Sequence, residues 1–364
     1  MGSAACYRLA EAGLSVLGIE QFDIPHTRGS SHGITRILRL GLHESPAYVP
    51  LVRRAVELWN DIGVKTGRTL FHACGSLDIS SPDRDLFNNS LTACLAHGVE
   101  HEVLDAAELR RRHPALHPDD DMQAVFQPGS GFVKPELSII THVELAHECG
   151  AEIHGHEKVL GWDEAAGAVR IRTDRDTYEA RQLVITAGAW AGKLLRSSGI
   201  TVQPQRAVLG WFQPTANSAA FQPDRLPVWI LDSPYADHFY GFPIHGIPGF
   251  KLGRYIHDLP EQDPDQPLTP AGREDEDEIR HFMARYFPDG NGPVLTMATC
   301  FFEHTPDRAF VIDRLPGSER VWALVGFSGH GFKYASAIGE IARDLVVHGR
   351  SGFDLSLFRA DRFV

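Results

Sequence analysis

Apolar residues along this chain change period several times, and each change predicts an element. Leu9 follows Ala5 by four residues, with Tyr7 and Arg8 in the intervening turn, which predicts a helix over 2–13 that stops at Gly13. The apolar run "LSVLGIE" (14–20) then reads as a short buried strand. Val49, Val52, Val56, Leu58 and Trp59 recur at helical spacing after Ser45–Pro46, predicting a helix from Pro46 to about Thr66. "TLFHACGSLDIS" (69–80) alternates like a pair of strands. Helical patterns follow near 83–97 and 105–112, and again from Pro135 to Cys149. "RQLVITAGAWAG" (181–192) is an apolar strand running into a further helix that ends near Leu195. From about 202 to 256 the texture is strand punctuated by Pro and Gly. A proline-rich polar loop (257–272) and a helix at about 273–287 come next. The chain closes with strands in "LTMATCFFEH", "AFVID" and "VWALVGFSG" and a helix in "KYASAIGEIARDLVVHG". Helices and strands thus alternate at both ends around a β-rich middle. This predicts a mixed α/β fold: a discontinuous, doubly wound dinucleotide-binding core with a sheet-rich second domain threaded through it.

Composition narrows the function classes. The 364 residues are enough for about two domains. A formal net charge of −12, with no basic run, argues against a nucleic-acid partner. No apolar stretch approaches the ~18–20 residues of a membrane span, and the N-terminus has no export-signal pattern. The five cysteines are odd in number and form no CxxC pair. That predicts a reducing, cytoplasmic setting with no disulfide framework. The histidine pairs (97/101, 113/117, 154/156) bring no third ligand, so no metal site is expected. No GxSxG is present.

Gly2, leading "SAACYRLAEAG", suits the third glycine of a GxGxxG turn, and Glu20, eighteen residues on, stands where an acid would accept ribose hydroxyls. On these two residues alone, an ordinary glycine before a helix and a solvated glutamate fit equally well. "VITAGAW", with Gly188, is a strand-to-glycine turn of the kind found late in flavin-binding folds. "GFSGHGFKYASAIGE" is Gly-rich and opens a helix whose N-terminus can face an anionic or electron-rich ligand. "RGSSHGITRILR" (28–39) packs three arginines and a histidine around two glycines and two serines. Strand geometry through "TRILR" would turn Arg36 and Arg39 to different faces. Lys251 in "GFKLG" and Lys333 in "GHGFKYAS" are flanked by Gly and aromatic residues. Burial there would require a charge or ligand partner; the alternative is a stem that snorkels to solvent. Cys300 in "ATCFFEH" reads most simply as a small core hydrophobe.

Taken in order, "GSSHGITRILR", "GSGFVKPEL", "AGAWAGKLL", "YGFP", "FKLG", "CFFEHTPDRAFVID" and "GFSGHGFKYAS" resemble the monomeric sarcosine oxidase and N-methyltryptophan oxidase family of flavin amine oxidases, over essentially the whole chain. The resemblance implies FAD as cofactor, with Gly2, Glu20, Ser30, Ser31, Gly188, Gly329, Gly331 and Phe332 in its site and Cys300 as a thioether tether to the flavin ring. It implies that Arg36 and His32 lie near the flavin and that Lys251 promotes reaction with oxygen. It places Arg39 and Lys333 on the substrate carboxylate, with Tyr240 in the substrate pocket. The implied reaction oxidises a C–N bond of an N-methyl or secondary amino acid to an imine and reduces O2 to H2O2, in a monomer with no membrane partner. The implied cofactor domain spans 1–45, 134–200 and 306–364, and the substrate domain 46–133 and 201–305.

Two positions depart from the family pattern. Tyr255 stands where a substrate-contacting His is usual, and Ile34 where Asp is usual. They put sarcosine itself in doubt as the substrate more than the reaction class. Relatives carry a central strand and two further glycines ahead of the position of Gly2. The expectation is therefore that about a dozen residues precede Met1 in the native product, or that this chain binds FAD poorly unless Cys300 holds it. Two rival readings follow: a dehydrogenase of the same fold passing electrons to a quinone or carrier protein, and a chain whose incomplete nucleotide site no longer supports catalysis.

Overall fold

The computed structural model describes residues 1–165, 167–195, 198–255 and 260–363. Its largest sheet has eight strands, in the order Val294–His304, Gln203–Phe212, Phe250–Arg254, Asp237–Phe242, Val228–Ser233, Ser76–Ser80, Gln123–Gln127 and Glu102–Asp105. All its pairings are antiparallel except that of Val228–Ser233 with Ser76–Ser80. Long antiparallel strands with one face covered explain the Pro/Gly-punctuated texture of the middle of the sequence. One face packs on the amphipathic helix Arg273–Tyr286, whose Ile279, Phe282, Met283 and Tyr286 are buried against Trp229, Phe239 and Phe250.

The second unit is layered from short sheets and four helices. Leu17–Ile19 pairs in parallel with Glu152–His154, and Leu183–Ile185 in parallel with Val321–Val325, which in turn pairs with Val311–Arg314. The helix Gly2–Glu11 buries Ala4, Ala5, Tyr7, Leu9 and Ala10 between the helices Pro135–Glu148 and Ala335–His348. The approach is close enough that a Cβ at Gly339 would lie 2.6 Å from the Ala4 carbonyl oxygen. A three-stranded meander, Val159–Ala165, Ala168–Thr173 and Thr177–Ala180, flanks this unit.

Most predicted helices are present with ends shifted by a few residues. Ser45 caps the one expected from Pro46: its hydroxyl accepts from the Ala47 amide, a single 3-10 turn leads in, and Val49–Thr66 ends at Gly67 with φ 69°. This helix, expected on the substrate side, buries Leu51, Val52, Ala55, Leu58, Trp59 and Ile62 in the same core as Leu9, Ile338 and Ile341. The two strands expected over 69–80 are both present but do not pair with each other. Phe71–Ala73 pairs with Gly131–Val133, whereas Ser76–Ser80 sits inside the eight-stranded sheet. Every residue of Ser76–Ser80 is buried, so the apparent alternation there is not a solvent-facing pattern. Residues 257–259 of the predicted proline-rich loop lie outside the described residues. The strands Leu17–Ile19 and Leu183–Ile185 face one large cavity, and among the described residues no strand pairs with both. Among those residues no helix is long and apolar enough to cross a membrane.

Candidate active site

A cavity of about 1230 Å³ runs from the start of the helix Gly2–Glu11 to the face of the eight-stranded sheet. Ligand pockets usually enclose roughly 300–1,000 Å³, so this one is of dinucleotide-plus-substrate size.

Its first end is built by backbone that comes unusually close. A Cβ on Gly2 would lie 2.9 Å from Thr186 Oγ1, just past the strand Leu183–Ile185, as the third glycine of a dinucleotide turn requires. Glu20 follows the strand Leu17–Ile19, lines the cavity and accepts from the Phe22 amide at 3.0 Å. Gly188, at φ 51°, opens a short 3-10 turn on the same wall. Ser30 and Ser31 line the middle. Gly329, Gly331 and Phe332 form the opposite wall. At Gly331 a Cβ would sit 2.2 Å from that of Phe327, so only glycine lets this backbone border the space. Eight of the nine residues expected on the cofactor therefore line one cavity; the ninth, Cys300, does not.

The loop 29–35 is held from outside the cavity. Glu136 accepts the Gly33 amide at 2.6 Å and the Ile34 amide at 3.1 Å. Arg36, on the short strand Arg36–Leu38, donates to the Ser30 and Thr35 carbonyls at 2.8 and 3.0 Å and also lines the cavity. Ile34 itself has φ 72°, a left-handed conformation unusual for a β-branched residue, where the Asp usual in the family would be better tolerated.

Lys251 is 2 % exposed. Its ammonium donates to Gly33 O, Thr35 O and Thr35 Oγ1 at 2.7, 2.8 and 2.9 Å, and lies 4.1 Å from the Phe242 ring centre. Burial, aided by Arg36, pulls its titration well below the ordinary lysine range. The same burial, with Arg36 and Lys251 nearby, pushes His32 down to about 3, so its imidazole is neutral. Cys300 is buried among Ala207, Leu209, Trp211 and Phe302, with Tyr240 and Tyr255 packed against them, and burial pushes its thiol up. Lys251, His32 and Cys300 do not line the cavity; each lies beside groups that do.

At the far end, Tyr240, Tyr255, Arg39 and Lys333 meet. The Tyr255 hydroxyl donates to Ser328 O at 3.0 Å. Lys333 is 3 % exposed; among the described residues its ammonium makes one hydrogen bond, to His330 O at 2.7 Å, and no ion pair. Burial pulls its titration down to about 7. Arg39, by contrast, is already paired: Nη1 donates to Asp78 at 3.1 Å and Nη2 to Glu44 at 2.9 Å. Burial would push Glu44 up, but Arg39, His43, His330 and Lys333 outweigh it and hold the carboxyl well below the usual range. Asp78, Glu44, His43 and His330 are functional neighbours that sequence reasoning missed. Asp78 carried a weak signal: an acid between Leu77 and Ile79 in a predicted strand, "SLDIS", would need a cation or donors if that strand were buried.

The FAD dependent oxidoreductase (DAO) family model matches residues 1–345, and the chain belongs to that family. Within it, the chain stands close to the sarcosine and N-methyltryptophan oxidases. It is 38% identical over 362 residues to the monomeric sarcosine oxidase of Streptomyces avermitilis, covering 98% of this chain and 94% of the relative. It is 34% identical to the N-methyl-L-tryptophan oxidase of Yersinia pestis, covering 100% and 96%. Among solved structures, the open form of NikD, an amino acid oxidase of nikkomycin biosynthesis, superposes with a TM-score of 0.86 at 22% identity, covering 98% of this chain and 94% of that one, which shows the shared fold.

Proposed function

We propose that this protein is an FAD-dependent oxidase of N-methyl or secondary amino acids, working as a monomer, with the cofactor along the first cavity wall and the substrate between Tyr240, Tyr255 and Lys333. The residues present fit the cofactor: the glycine-lined walls leave backbone-width space, and the loop 29–35 is fixed before any ligand arrives. Bound FAD supplies the redox chemistry, taking a hydride equivalent from the C–N bond and passing two electrons to O2. The chain orients the substrate, excludes water and fixes charge.

One observation carries the substrate reading. Among the described residues Lys333 is buried at the cavity end with no ion pair, Glu44 acting on it only from a distance, and such a group suits a carboxylate from the ligand. A substrate carboxylate reaching Arg39 as well must compete with Glu44 for Nη2. Holding the carboxylate there positions the neighbouring C–N bond, which is worth far more to the rate than affinity alone. Lys333→Ala is expected to raise the KM for a secondary amino acid about 10–100-fold, the value of a charged hydrogen bond of roughly 1.5–3 kcal/mol, with a smaller fall in kcat. An unchanged KM would remove the carboxylate role. The screen that tests the function is oxygen consumption with sarcosine, N-methyltryptophan, pipecolate and proline. Peroxide formed in air separates an oxidase from a carrier-linked dehydrogenase.

In this reading Cys300 carries the flavin covalently. Its thiol lies on the strand Val294–His304 in the cluster that Tyr240 and Tyr255 pack against. Burial opposes its ionisation, and Arg36 and Lys251 partly offset that toward the thiolate a thioether tether would require, the replaced hydrogen leaving as a proton and the two electrons passing to O2. Wild-type protein should stay yellow through acid precipitation, whereas Cys300→Ala should release its flavin to the supernatant. Flavin retained by the precipitated variant would place the tether elsewhere.

A further inference from the structure

Glu303 is a buried carboxyl to which none of the roles above assigns any part. It is 6 % exposed, lines the cavity, and has one side-chain partner: the Ser30 hydroxyl, which donates to Oε2 at 2.6 Å. A backbone amide is its other polar neighbour. Strand alternation separates Glu303 from Cys300 and Phe302. Those two pack toward Tyr240 and Tyr255, whereas Phe301 meets Trp190 and Glu303 reaches Ser30. Glu303 therefore faces the cofactor part of the cavity. It is also close enough to the start of the helix Gly2–Glu11 to feel the Met1 α-amino group, and anionic phosphates are favoured at that helix end.

We propose that Glu303 is a cofactor-contacting residue that carries a proton whenever the dinucleotide fills the cavity, so that FAD binding takes up a proton. The inference rests on the reading that FAD occupies this cavity. A carboxylate and a diphosphate cannot share a buried space without a cation between them; a protonated carboxyl avoids the repulsion and donates to a phosphate or polyol oxygen. The charged or titratable groups around Glu303 are the Met1 amine from the helix start, Arg36 from the strand Arg36–Leu38, and Cys300 on its own strand. Arg36 and the Met1 amine, itself pulled down by burial, favour the anion, yet burial outweighs them together with the Ser30 and backbone hydrogen bonds, raising the carboxyl to about 7 before any phosphate arrives. The sign follows. A raised carboxyl holds its proton below neutrality and loses it as pH rises, so added negative charge is tolerated on the acid side and opposed on the alkaline side.

The test uses the full-length Cys300→Ala protein, which keeps the flavin exchangeable. FAD affinity is read from flavin fluorescence between about pH 6 and pH 9, where Kd is expected to approach a tenfold rise per pH unit above neutrality. Calorimetry in two buffers of different ionisation enthalpy is expected to show about one proton taken up per FAD near pH 8.5. Adding Glu303→Gln should flatten the affinity profile and abolish that uptake. A flat profile in the parent, or an unchanged slope in the Gln variant, overturns the proposal. Should Glu303→Gln fail to fold, the infrared difference spectrum of the parent on FAD addition decides: a new protonated-carboxyl band supports the proposal and its absence overturns it. Protein that takes up no FAD at any pH overturns the cofactor reading and this inference together. Binding without proton uptake overturns the inference alone.

Discussion

Lys251→Met is expected to slow reoxidation of the reduced enzyme by oxygen about 10²–10³-fold, the usual loss when one preorganised electrostatic group is removed from a water-excluded site. Anaerobic reduction by substrate should change far less, so stopped-flow measurement of the two half-reactions separates the roles. The geometry behind the expectation is specific. The three oxygens of Gly33 and Thr35 match the three N–H bonds of an ammonium, which holds the cation in place without any carboxylate to cancel it. Met keeps the stem that packs on Phe242 and Trp211 and removes the charge together with its three hydrogen bonds. Equal slowing of both half-reactions, or slowing of reduction alone, would assign Lys251 to the substrate instead.

Asp78→Ala is expected to destabilise the fold by about 3–5 kcal/mol, measured as a lowered denaturant midpoint at constant slope, because it breaks a buried hydrogen-bonded ion pair and leaves Arg39 with one carboxylate instead of two. Asp78 is fully buried and accepts from Arg39 Nη1, from Ser90 Oγ at 2.6 Å and from Gln127 Nε2 at 3.1 Å. Removing it takes the acceptor from Ser90 Oγ and one acceptor each from Arg39, which keeps Glu44, and Gln127, which keeps the Gly41 carbonyl. Asp78→Asn keeps an acceptor oxygen and the side-chain volume, and should cost less. A midpoint within error of wild type for the Ala variant would mean that Glu44 alone satisfies Arg39.

The order of elements was legible because period and punctuation are local properties. The helices Val49–Thr66 and Ala335–His348 show it: apolar spacing sets the buried face, and Gly67 and Gly349 end them in left-handed turns. Short strands such as Gly131–Val133 and Glu152–His154 were not legible. Three residues carry too little pattern, and their pairing partners lie far away in sequence. The glycines expected at the cavity came from motifs that tie glycine to close backbone approach, and Gly2 and Gly331 show that approach.

The buried charges divide differently. Sequence alone marked Lys251 and Lys333 as lysines in apolar surroundings, because residue type and neighbours state the burial problem. It held no information on how each is solved. Neutral oxygens of a loop more than two hundred residues away solvate Lys251 without cancelling its charge, Lys333 has a single carbonyl acceptor among the described residues, and Arg39 is paired with Asp78 and Glu44. Sequence thus determined the family, the alternating α/β plan and the chemical inventory, all of which follow from composition, period and motif. Only the tertiary structure decided that Arg39 is paired, that Lys333 makes no ion pair among the described residues, and that the carboxyl of Glu303 borders the large cavity. Desolvation and pairing depend on distances that the chain sets only when it closes on itself.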